Sequence, residues 1–354
     1  MTSWRERSWL LGNTIMEPGR GGISRVARMT AKAIGGAGAK TRSISLLDKD
    51  THSTGGVRSK TAQGNKVKYA ALCHMAAMQC DRFLYDAVGV ARAHPQLPGL
   101  QKPYGVWMHG VEVWDSLHED RERALRNADF VFVNSAFTLR RFGELHGPLD
   151  NAHIVSLATE DDEDPGQALF VGPPTALLVG RVDKNNMRKG HVEVVASWPA
   201  VVDAVPDARL VLAGGGDGLD LLKNIVAESP ASASIDVLGF VPEARMPDLW
   251  RRAHVLVQPS WKEGFGIAYI EAMRHGLPVI ASIHDAGSEV NLDGETGYNV
   301  DLNHPDELAT KLTQLLKDTD HAKALGTGGH DRWKTHYRFS AFRDRLFGVL
   351  DACA

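Results

Sequence analysis

Two glutamates eight residues apart flank a glycine-rich turn at the start of a predicted helix. Glu263 opens the stretch Glu-Gly-Phe-Gly, and Glu271 lies about one turn inside the helix that follows. Glycines there let the backbone approach a ligand, and amides at a helix N-terminus stabilise phosphate or a polar sugar. A carboxylate on a mainly apolar helix needs a partner, and a vicinal diol can donate two hydrogen bonds to it. Either glutamate alone is typical of a helix cap or a structural ion pair, but the whole arrangement favours a binding site.

A basic loop joins an earlier buried strand to its helix. This loop spans residues 180–190 and contains Arg181 and Lys189. Open α/β sheets bind ligands in the loops at the carboxyl ends of their strands. Arginine as a planar fork and lysine as a point charge could neutralise a diphosphate there. A basic loop is as often plain solvated surface, and we assign Lys184 and Arg188 to that class.

A run of glycines follows the next predicted strand. The stretch Gly-Gly-Gly-Asp-Gly at 214–218 is not the dinucleotide fingerprint G-x-G-x-x-G, because Leu219 stands where the third glycine belongs. We therefore disfavour a nicotinamide-dependent dehydrogenase. Asp217 is predicted to cap the following helix.

The first half of the chain has weaker signals of the same kind. The pair Gly21–Gly22 precedes a helical pattern, so its amides could approach phosphate or sugar, or it could form an ordinary tight turn. His109 ends an apolar strand, where a ligand role is favoured over a structural one. Glu112 and Asp115 follow on the same loop and could face an acceptor hydroxyl.

The sequence contains no pattern typical of a metal site. No Asp-x-Asp pair ends a strand, and no His/Cys cluster has the spacing of metal ligands. The acidic run at 160–164 lies in a Pro/Gly-rich segment, 151–174, and is predicted to be a solvated part of an interdomain linker. We therefore predict neither a metal nor a cofactor.

The elements that would position these residues alternate in type. From Thr175 onward, short apolar runs rich in β-branched residues alternate with helical patterns. Such runs indicate parallel strands covered on both faces, and hence a doubly wound sheet. The first half repeats the alternation more faintly. Its predicted strands are Trp9–Asn13, Thr41–Leu47, Arg82–Asp86, Val106–His109 and Phe130–Asn134.

Length and charge narrow the class of protein further. A chain of 354 residues suits two domains, and a formal net charge of -3 argues against general nucleic-acid binding. No run of about 18 apolar residues predicts a membrane span. The three cysteines and the absence of a secretory pattern indicate a reduced, cytoplasmic protein. The basic, Gly/Ser-rich segment 50–68 is predicted to be a mobile loop; it could approach an anionic membrane or a lipid-diphosphate acceptor, although plain solvation is favoured.

Taken together, these stretches resemble the GT4 family of retaining glycosyltransferases. The resemblance rests on Gly180-Arg181 with Lys189-Gly190, Gly239-Phe240, Gln258-Pro-Ser-Trp-Lys-Glu263-Gly-Phe-Gly with Glu271-Ala-Met, and Asp293-Gly-Glu-Thr-Gly297. It implies the α/β GT-B fold, in which two Rossmann-like, doubly wound parallel-sheet domains face a cleft. The acceptor domain would span 1–165 and the nucleotide-sugar donor domain 174–337. The last helix, 338–352, would pack back on the first domain.

The resemblance also implies roles for individual residues. Four would act in catalysis: Arg181 and Lys189 would hold the donor diphosphate and stabilise it as it leaves, Glu263 would hold hydroxyls of the sugar, and His109 would contact the sugar near the reacting carbon. The remaining donor-binding residues would touch the phosphates, the sugar, the ribose or the base. They are Gly21, Gly22, Val241, Gly264, Phe265, Gly266 and Glu271.

The implied reaction moves a hexose from a nucleoside-diphosphate sugar to a hydroxyl of a glycan or lipid-linked acceptor. Similarity to bacterial surface-polysaccharide enzymes favours GDP-mannose or UDP-glucose as donor, with peripheral contact at the inner membrane surface as an option. Retention would follow from front-face attack or from a covalent intermediate, and both stay open. A nucleotide-sugar epimerase or a phosphorylase using the same fold is the alternative.

Overall fold

The computed structural model describes residues 3–185 and 187–353. It divides into two compact units. The first consists of Met1–Asp161 together with Phe339–Ala354, and the second of Asp162–Arg338. Each unit is built around its own sheet.

Strands of both units run parallel, with one exception in the first sheet. The strands are β1 (Ser8–Asn13), β2 (Lys40–Ser45), β3 (Ser53–Thr54), β4 (Val57–Thr61), β5 (Arg82–Tyr85), β6 (Tyr104–Met108), β7 (Phe130–Val133), β8 (Ala152–Ile154), β9 (Thr175–Val179), β10 (Arg209–Ala213), β11 (Ile235–Gly239), β12 (Val255–Val257), β13 (Val279–Ser282) and β14 (Gly297–Val300). The first sheet has the order β3-β4-β2-β1-β5-β6-β7-β8, and the second β11-β10-β9-β12-β13-β14. Only the β3–β4 pairing among these strands is antiparallel.

Helices connect the strands and cover the sheets. They are α1 (Gly22–Gly36), α2 (Lys66–Ala77), α3 (Val88–Ala91), α4 (Glu119–Arg126), α5 (Ala136–His146), α6 (His191–Ala204), α7 (Leu219–Glu228), α8 (Met246–Arg252), α9 (Ile267–Arg274), α10 (Gly287–Val290), α11 (Pro305–Lys317), α12 (Thr319–Arg332) and α13 (Phe339–Cys353). Within the described part of the chain, no helix combines the length and apolarity needed to cross a bilayer.

The central strands are buried because helices cover both sheet faces. Every residue of β6, with the sequence Tyr-Gly-Val-Trp-Met, is buried, and so is every residue of β12. Continuous burial, rather than alternation, is what parallel strands show when both faces are covered. The predicted architecture of two doubly wound parallel sheets is confirmed.

The prediction that residues 50–68 form a mobile loop is wrong. Residues 50–68 contain β3, β4 and the beginning of α2. Along β4 the side chains alternate, so that Val57 and Ser59 are buried whereas Arg58 and Lys60 are exposed. The basic residues that suggested a loop are therefore the outward-facing half of an amphipathic strand.

The acidic run in the predicted linker is also more structured than expected. Glu160 accepts a hydrogen bond from Nε of Arg28 at 2.7 Å, inside the first unit. Asp164 lies 3.1 Å from Nε2 of His330 and 3.5 Å from Nζ of Lys334, inside the second. The acids at both ends of the run thus bind basic side chains rather than only water.

The last helix returns to the first unit. α13 buries Phe342, Leu346 and Leu350, which lie on one stripe of the helix. Nε1 of Trp4 donates to Asp351 at 2.6 Å, which attaches the end of α13 close to the start of the chain.

Candidate functional site

In the second sheet, the strand order reverses direction between β9 and β12. The chain builds β10 and β11 on one side of β9, and β12 to β14 on the other. One loop leaves this point after β9 and another after β12. Open α/β sheets bind ligands in the crevice formed at such a reversal. The loops here are 180–190 and 258–266, which carry the strongest predicted motifs.

These two loops are locked together by their backbones. The carbonyl of Arg188 accepts hydrogen bonds from Oγ of Ser260 at 2.7 Å and from the amide of Trp261 at 2.9 Å. Gly190 adopts a left-handed φ of 83°, and a Cβ on it would lie 2.6 Å from the carbonyl oxygen of Pro259. Only glycine therefore fits where the first loop crosses the second.

The crossing places Lys189 against Glu263. Nζ of Lys189 forms an ion pair with Oε2 of Glu263, and the two side chains are only 30% and 14% exposed. Nε2 of Gln258 lies 3.4 Å from the same carboxylate oxygen. A cation and an acid, predicted separately from motifs 74 residues apart, are thus in direct contact.

A buried carboxylate supports Glu263 from the next loop. Asp285, which follows β13, accepts hydrogen bonds from the amide of Glu263 at 2.7 Å and from the amide of Gly287 at 2.8 Å. Burial, and then the charge of Glu263, raise the pKa of Asp285 to about 7, whereas the two amides and Lys189 lower it. Asp285 lies in none of the predicted motifs.

The glycine-rich turn between the two glutamates is closely packed. Gly266 caps α9 with a φ of 99°, and a Cβ on it would lie 2.1 Å from the ring of Tyr269. That ring is fully buried, and its hydroxyl donates to the carbonyl of Gln258 at 2.8 Å. Phe265 is also buried, and so are the glycines on either side of it, Gly264 and Gly266. Glu271 lies half-buried, one turn into α9.

Arg181 lies on the same loop as Lys189 but points elsewhere. Its side chain is 71% exposed, and Nε donates to Oδ1 of Asp183 at 2.5 Å. The structure therefore does not bring its guanidinium to the Lys189–Glu263 pair.

Asp217 does not cap α7 as predicted. It accepts a hydrogen bond from the amide of Lys184 at 3.0 Å, whereas Gly218 is the capping residue and offers no side chain. The prediction was wrong because the acid ties the loop after β10 to the loop after β9.

Two further residues beside the predicted motifs, Phe240 and His191, received no predicted role, although Phe240 belongs to the Gly239-Phe240 match on which the family resemblance rests. Phe240 follows β11 with 65% of its side chain exposed, next to the half-buried Val241. An exposed aromatic ring at the carboxyl edge of a sheet can stack on a flat ring system. His191 begins α6, fully buried, and burial followed by the charge of Lys189 lowers its pKa to about 4. The Gly239-Phe240 match was the signal that could have assigned Phe240 a role.

The first sheet also reverses direction, between β1 and β5. Asp86 directly follows β5 and holds the loop after β1: its carboxylate accepts the amide of Thr14 at 2.7 and 2.8 Å and the hydroxyl of Thr14 at 2.9 Å. Asp48, fully buried, accepts the amides of Met16 and Glu17 at 3.0–3.1 Å. Burial raises the pKa of Asp86 to about 7, although the bonds from Thr14 lower it.

His109 is attached to Asp86 through the backbone. Nε2 of its ring lies 2.6 Å from the carbonyl oxygen of Asp86, and a carbonyl only accepts, so Nε2 carries a hydrogen. In the neutral ring, Nδ1 then holds the lone pair. The amide of His109 donates to Oε1 of Glu112 at 2.6 Å, so Glu112 fixes the loop backbone, a role that the sequence did not predict.

Gly21 and Gly22 form the start of α1. Gly21 is the capping residue with a φ of 90°, and a Cβ on it would meet nothing within 4 Å. Its conformation favours glycine, and the space beside it is open. The first turn of α1 carries no acidic residue, so the helix end is electrostatically suited to an anion.

Among the described residues, no group of three or more His, Cys, Asp or Glu side chains could hold a metal ion. The strand reversal of the second sheet brings together a lysine, an acid and a tightly turned backbone. That set can bind an anionic group beside a polyhydroxylated one.

Comparison with known proteins agrees with this chemistry. The family model described as glycosyl transferases group 1 matches residues 160–332. A GDP-mannose-dependent alpha-(1-6)-phosphatidylinositol monomannoside mannosyltransferase of Mycolicibacterium smegmatis is 28% identical over 266 residues, covering 69% of this chain and 70% of the relative.

Solved structures resemble the whole chain. Sucrose-phosphate synthase from Thermosynechococcus elongatus superposes with a TM-score of 0.83 at 20% identity, covering 98% of this chain and 100% of that one. The Anabaena protein HepE, in complex with UDP-glucose, superposes with a TM-score of 0.79 at 15% identity over 98% and 100% of the two chains. At these identities the likeness establishes the fold.

Proposed function

This chain carries a group 1 glycosyltransferase domain and is a glycosyltransferase of the GT-B fold, and from that premise we propose that it transfers mannose from GDP-mannose, with retention, to a hydroxyl of a lipid-linked or glycan acceptor. The observation that carries the proposal is the ion pair of Lys189 with Glu263 at the strand reversal of the second sheet. GDP-mannose is favoured over UDP-glucose because the name of the mycobacterial relative specifies it.

The ion pair is suited to exchange partners when a donor binds. A diphosphate offers Lys189 more negative charge than one carboxylate does, so Nζ moves to the phosphates. Glu263 then becomes available to accept hydrogen bonds from hydroxyls of the sugar. Binding of the two halves of the donor is thereby coupled through one pair of side chains.

The reaction separates charge between the sugar and the diphosphate. The bond from the anomeric carbon to the diphosphate oxygen breaks, and the acceptor oxygen bonds to the same face of that carbon. The acceptor proton passes to the departing phosphate. Lys189 stabilises the growing negative charge, joined by Arg181 once its exposed side chain leaves Asp183.

Because lysine and arginine supply this positive charge, we expect no metal requirement. Activity should be unchanged by EDTA and should not rise on addition of Mg²⁺ or Mn²⁺. Loss of activity with EDTA that is restored by one of these ions would contradict this part of the proposal.

The nucleoside occupies the neighbouring part of the same sheet edge. Glu271 accepts hydrogen bonds from the ribose hydroxyls. Phe240 and Val241 contact the base, because they follow β11 at that edge and Phe240 exposes a ring on which a base can stack. The backbone at Gly264, Phe265 and Gly266 approaches the sugar.

The first unit is proposed to offer polar contacts of its own. The lone pair that His109 retains at Nδ1 can accept a hydrogen bond from a sugar hydroxyl. Amides at Gly21 and Gly22 suit a phosphate, since the start of α1 is open and its first turn lacks acids.

The acceptor is proposed to be lipid-linked, and this part rests on the surface of α2. Val67, Met75 and Met78 are exposed there, and Lys66 and Lys68 are exposed beside Val67. Exposed apolar side chains with lysines suit the surface of an anionic membrane. The protein would then be cytoplasmic and contact the inner membrane surface peripherally.

Vesicle sedimentation tests the membrane contact. We expect binding to vesicles that contain anionic lipid, no binding to neutral ones, and weaker binding of the Met75→Ser/Met78→Ser variant. Leu238→Ser, which removes an exposed apolar residue from the second unit, serves as control. Equal binding of the wild type to neutral vesicles would contradict the proposal.

A thermal-shift panel of nucleotide sugars tests the donor. A ligand at a hundredfold excess over its Kd stabilises the folded state by ~2.7 kcal/mol. We expect the largest shift with GDP-mannose. A larger shift with UDP-glucose would reassign the donor but keep the reaction class.

Release of nucleoside diphosphate separates the reaction classes. A transferase releases it only when an acceptor is present, an epimerase converts the donor without release, and a phosphorylase requires inorganic phosphate. The comparisons favour the first class.

A further inference from the structure

Asp285 is a buried acid that the proposed reaction does not use. It lies between β13 and the short helix α10 and is fully buried. Burying a carboxylate costs folding free energy unless its oxygens accept hydrogen bonds. Its two oxygens do so, with one backbone amide each: Oδ2 with Glu263 and Oδ1 with Gly287.

Asp285 and its neighbour Ala286 bind both backbone groups of Glu263. While the amide of Glu263 donates to Asp285, its carbonyl accepts the amide of Ala286 at 3.1 Å. The loop after β12 is therefore tied to the loop after β13 by both backbone groups of one residue. That residue is the one whose side chain forms the ion pair with Lys189.

Three ionisable groups face Asp285 from the elements around it. Glu263 lies on the loop after β12, Lys189 on the loop after β9, and Tyr269 on α9, with its hydroxyl bound to Gln258. The charge of Glu263 raises the pKa of Asp285 and the charge of Lys189 lowers it. Removal of Lys189 from this group would therefore leave two acids without their cation.

We infer that Asp285 is a positioning residue that holds Glu263 opposite Lys189, and that it takes up a proton when a nucleoside-diphosphate donor draws Lys189 away. Only the proton uptake rests on the proposed function. The positioning role concerns the protein without ligand. No bond other than the O–H of the carboxyl is formed, and the proton comes from solvent.

Chemical labelling tests the positioning role without any donor. The ion pair protects Lys189 from amine acetylation, which mass spectrometry measures residue by residue. Asp285→Asn turns an N–H toward one of the two amides, so Glu263 shifts and Lys189 becomes about fivefold more reactive. Lys184 in the same loop provides the internal reference.

Asp236→Asn is the matched control. It makes the same chemical change on β11, where Asp236 pairs with Arg209. Labelling of Lys189 should be unchanged in this variant. If Asp285→Asn does not fold, Asp285→Ser, whose hydroxyl can still accept one amide, replaces it. Equal labelling of Lys189 in the wild type and in a folded Asp285 variant would overturn the positioning role.

Calorimetry in two buffers of different ionisation enthalpy tests the proton. GDP-mannose is a suitable probe because its diphosphate is esterified at both ends and does not titrate near neutrality. At pH 7 the wild type and Asp236→Asn should take up a fraction of a proton per donor bound, and the Asp285 variant none. Binding by the wild type without proton uptake would overturn this half. If GDP-mannose does not bind at all, the donor assignment fails, and the labelling result still decides the role of Asp285.

Discussion

The two units differ in the side-chain contact that joins the loops at their strand reversals. In the first unit, a carboxylate binds backbone: Asp86 accepts the amide and the hydroxyl of Thr14. In the second, the loop backbones are also joined, through the carbonyl of Arg188, but a further contact links two side chains, Lys189 and Glu263. This ion pair can open without disturbing the backbone, whereas the contact of Asp86 with the amide cannot. Under the proposed function, the first unit therefore presents a preformed edge, and the second a fixed backbone whose side chains exchange partners.

Both units nevertheless contain one buried acid with a pKa raised to about 7. Asp86 follows β5, at the reversal itself, and Asp285 follows β13, one strand beyond the reversal; both accept backbone amides. In the first unit the acid holds the reversal loop directly. In the second it acts one loop further along, through Glu263.

The largest expected effect is the loss of activity on replacement of Lys189, which forms the ion pair with Glu263. Lys189→Ala removes the cation that is proposed to stabilise the leaving group, and kcat/KM should fall by about a hundredfold or more, ~3 kcal/mol. Steady-state kinetics measures the loss, and the unfolding temperature shows that the fold is intact. Lys184→Ala on the same loop should retain activity. Full activity of Lys189→Ala would contradict the proposal that the ion pair of the second unit takes part in the reaction.

Gly190→Ala should weaken the crossing of the two loops in the second unit. The added Cβ meets the carbonyl of Pro259, so stability should fall by about 1–3 kcal/mol. Urea unfolding measures this change. Gly36→Ala, where a Cβ meets nothing within 4 Å, is the control and should leave stability unchanged or raise it. Unchanged stability of Gly190→Ala would show that the loops are not locked as described.

The buried acids predict a pH dependence of stability with the same sign in both units. Between about pH 4 and 7, the folded state keeps a proton on Asp86 or Asp285 that the unfolded state has released. The folded state therefore binds more protons, and its stability falls as pH rises through this window. One pKa unit corresponds to ~1.4 kcal/mol.

Asp86→Asn and Asp285→Asn isolate these contributions. The unfolding free energy of the wild type minus that of either variant should decrease from pH 5 to pH 8, as followed by urea titration. Asp236→Asn should give a constant difference. A flat difference for Asp86 and a falling one for Asp285 would mean that the two units are not alike in this respect.

The smallest effect concerns the amide-held loop of the first unit. Thr14→Ala removes one hydroxyl bond to Asp86 but keeps the amide bond, so stability should fall by only about 1 kcal/mol. The Kd for the donor should change less than in Lys189→Ala. A loss of donor affinity equal to that of Lys189→Ala would show that the first edge is not preformed.

Much of the second unit could be predicted from sequence because its buried strands are short and its motifs lie at strand ends. The alternation located β9 to β13, and the loops after β9 and β12 were both predicted to bind ligand. Their contact follows from strand order, which places the ends of β9 and β12 side by side. β14, α11 and α12 were not predicted.

The features that could not be predicted depend on which neighbouring group a side chain binds in the folded protein. Arg181 has Asp183 two residues away, and a sequence pattern does not show which acid a flexible arginine binds. Asp217 binds a loop amide instead of capping its helix. Asp285 and Asp86 look like ordinary loop acids until their burial is known. Alternation along β4 was visible, but the many charges around it concealed the strand.

The most direct test of the account is a structure of the protein with bound GDP-mannose. The account predicts Nζ of Lys189 at about 2.8 Å from a phosphate oxygen, separated from Glu263, with Glu263 accepting a hydrogen bond from the sugar. A donor bound elsewhere, while Lys189 stays paired with Glu263, would contradict it.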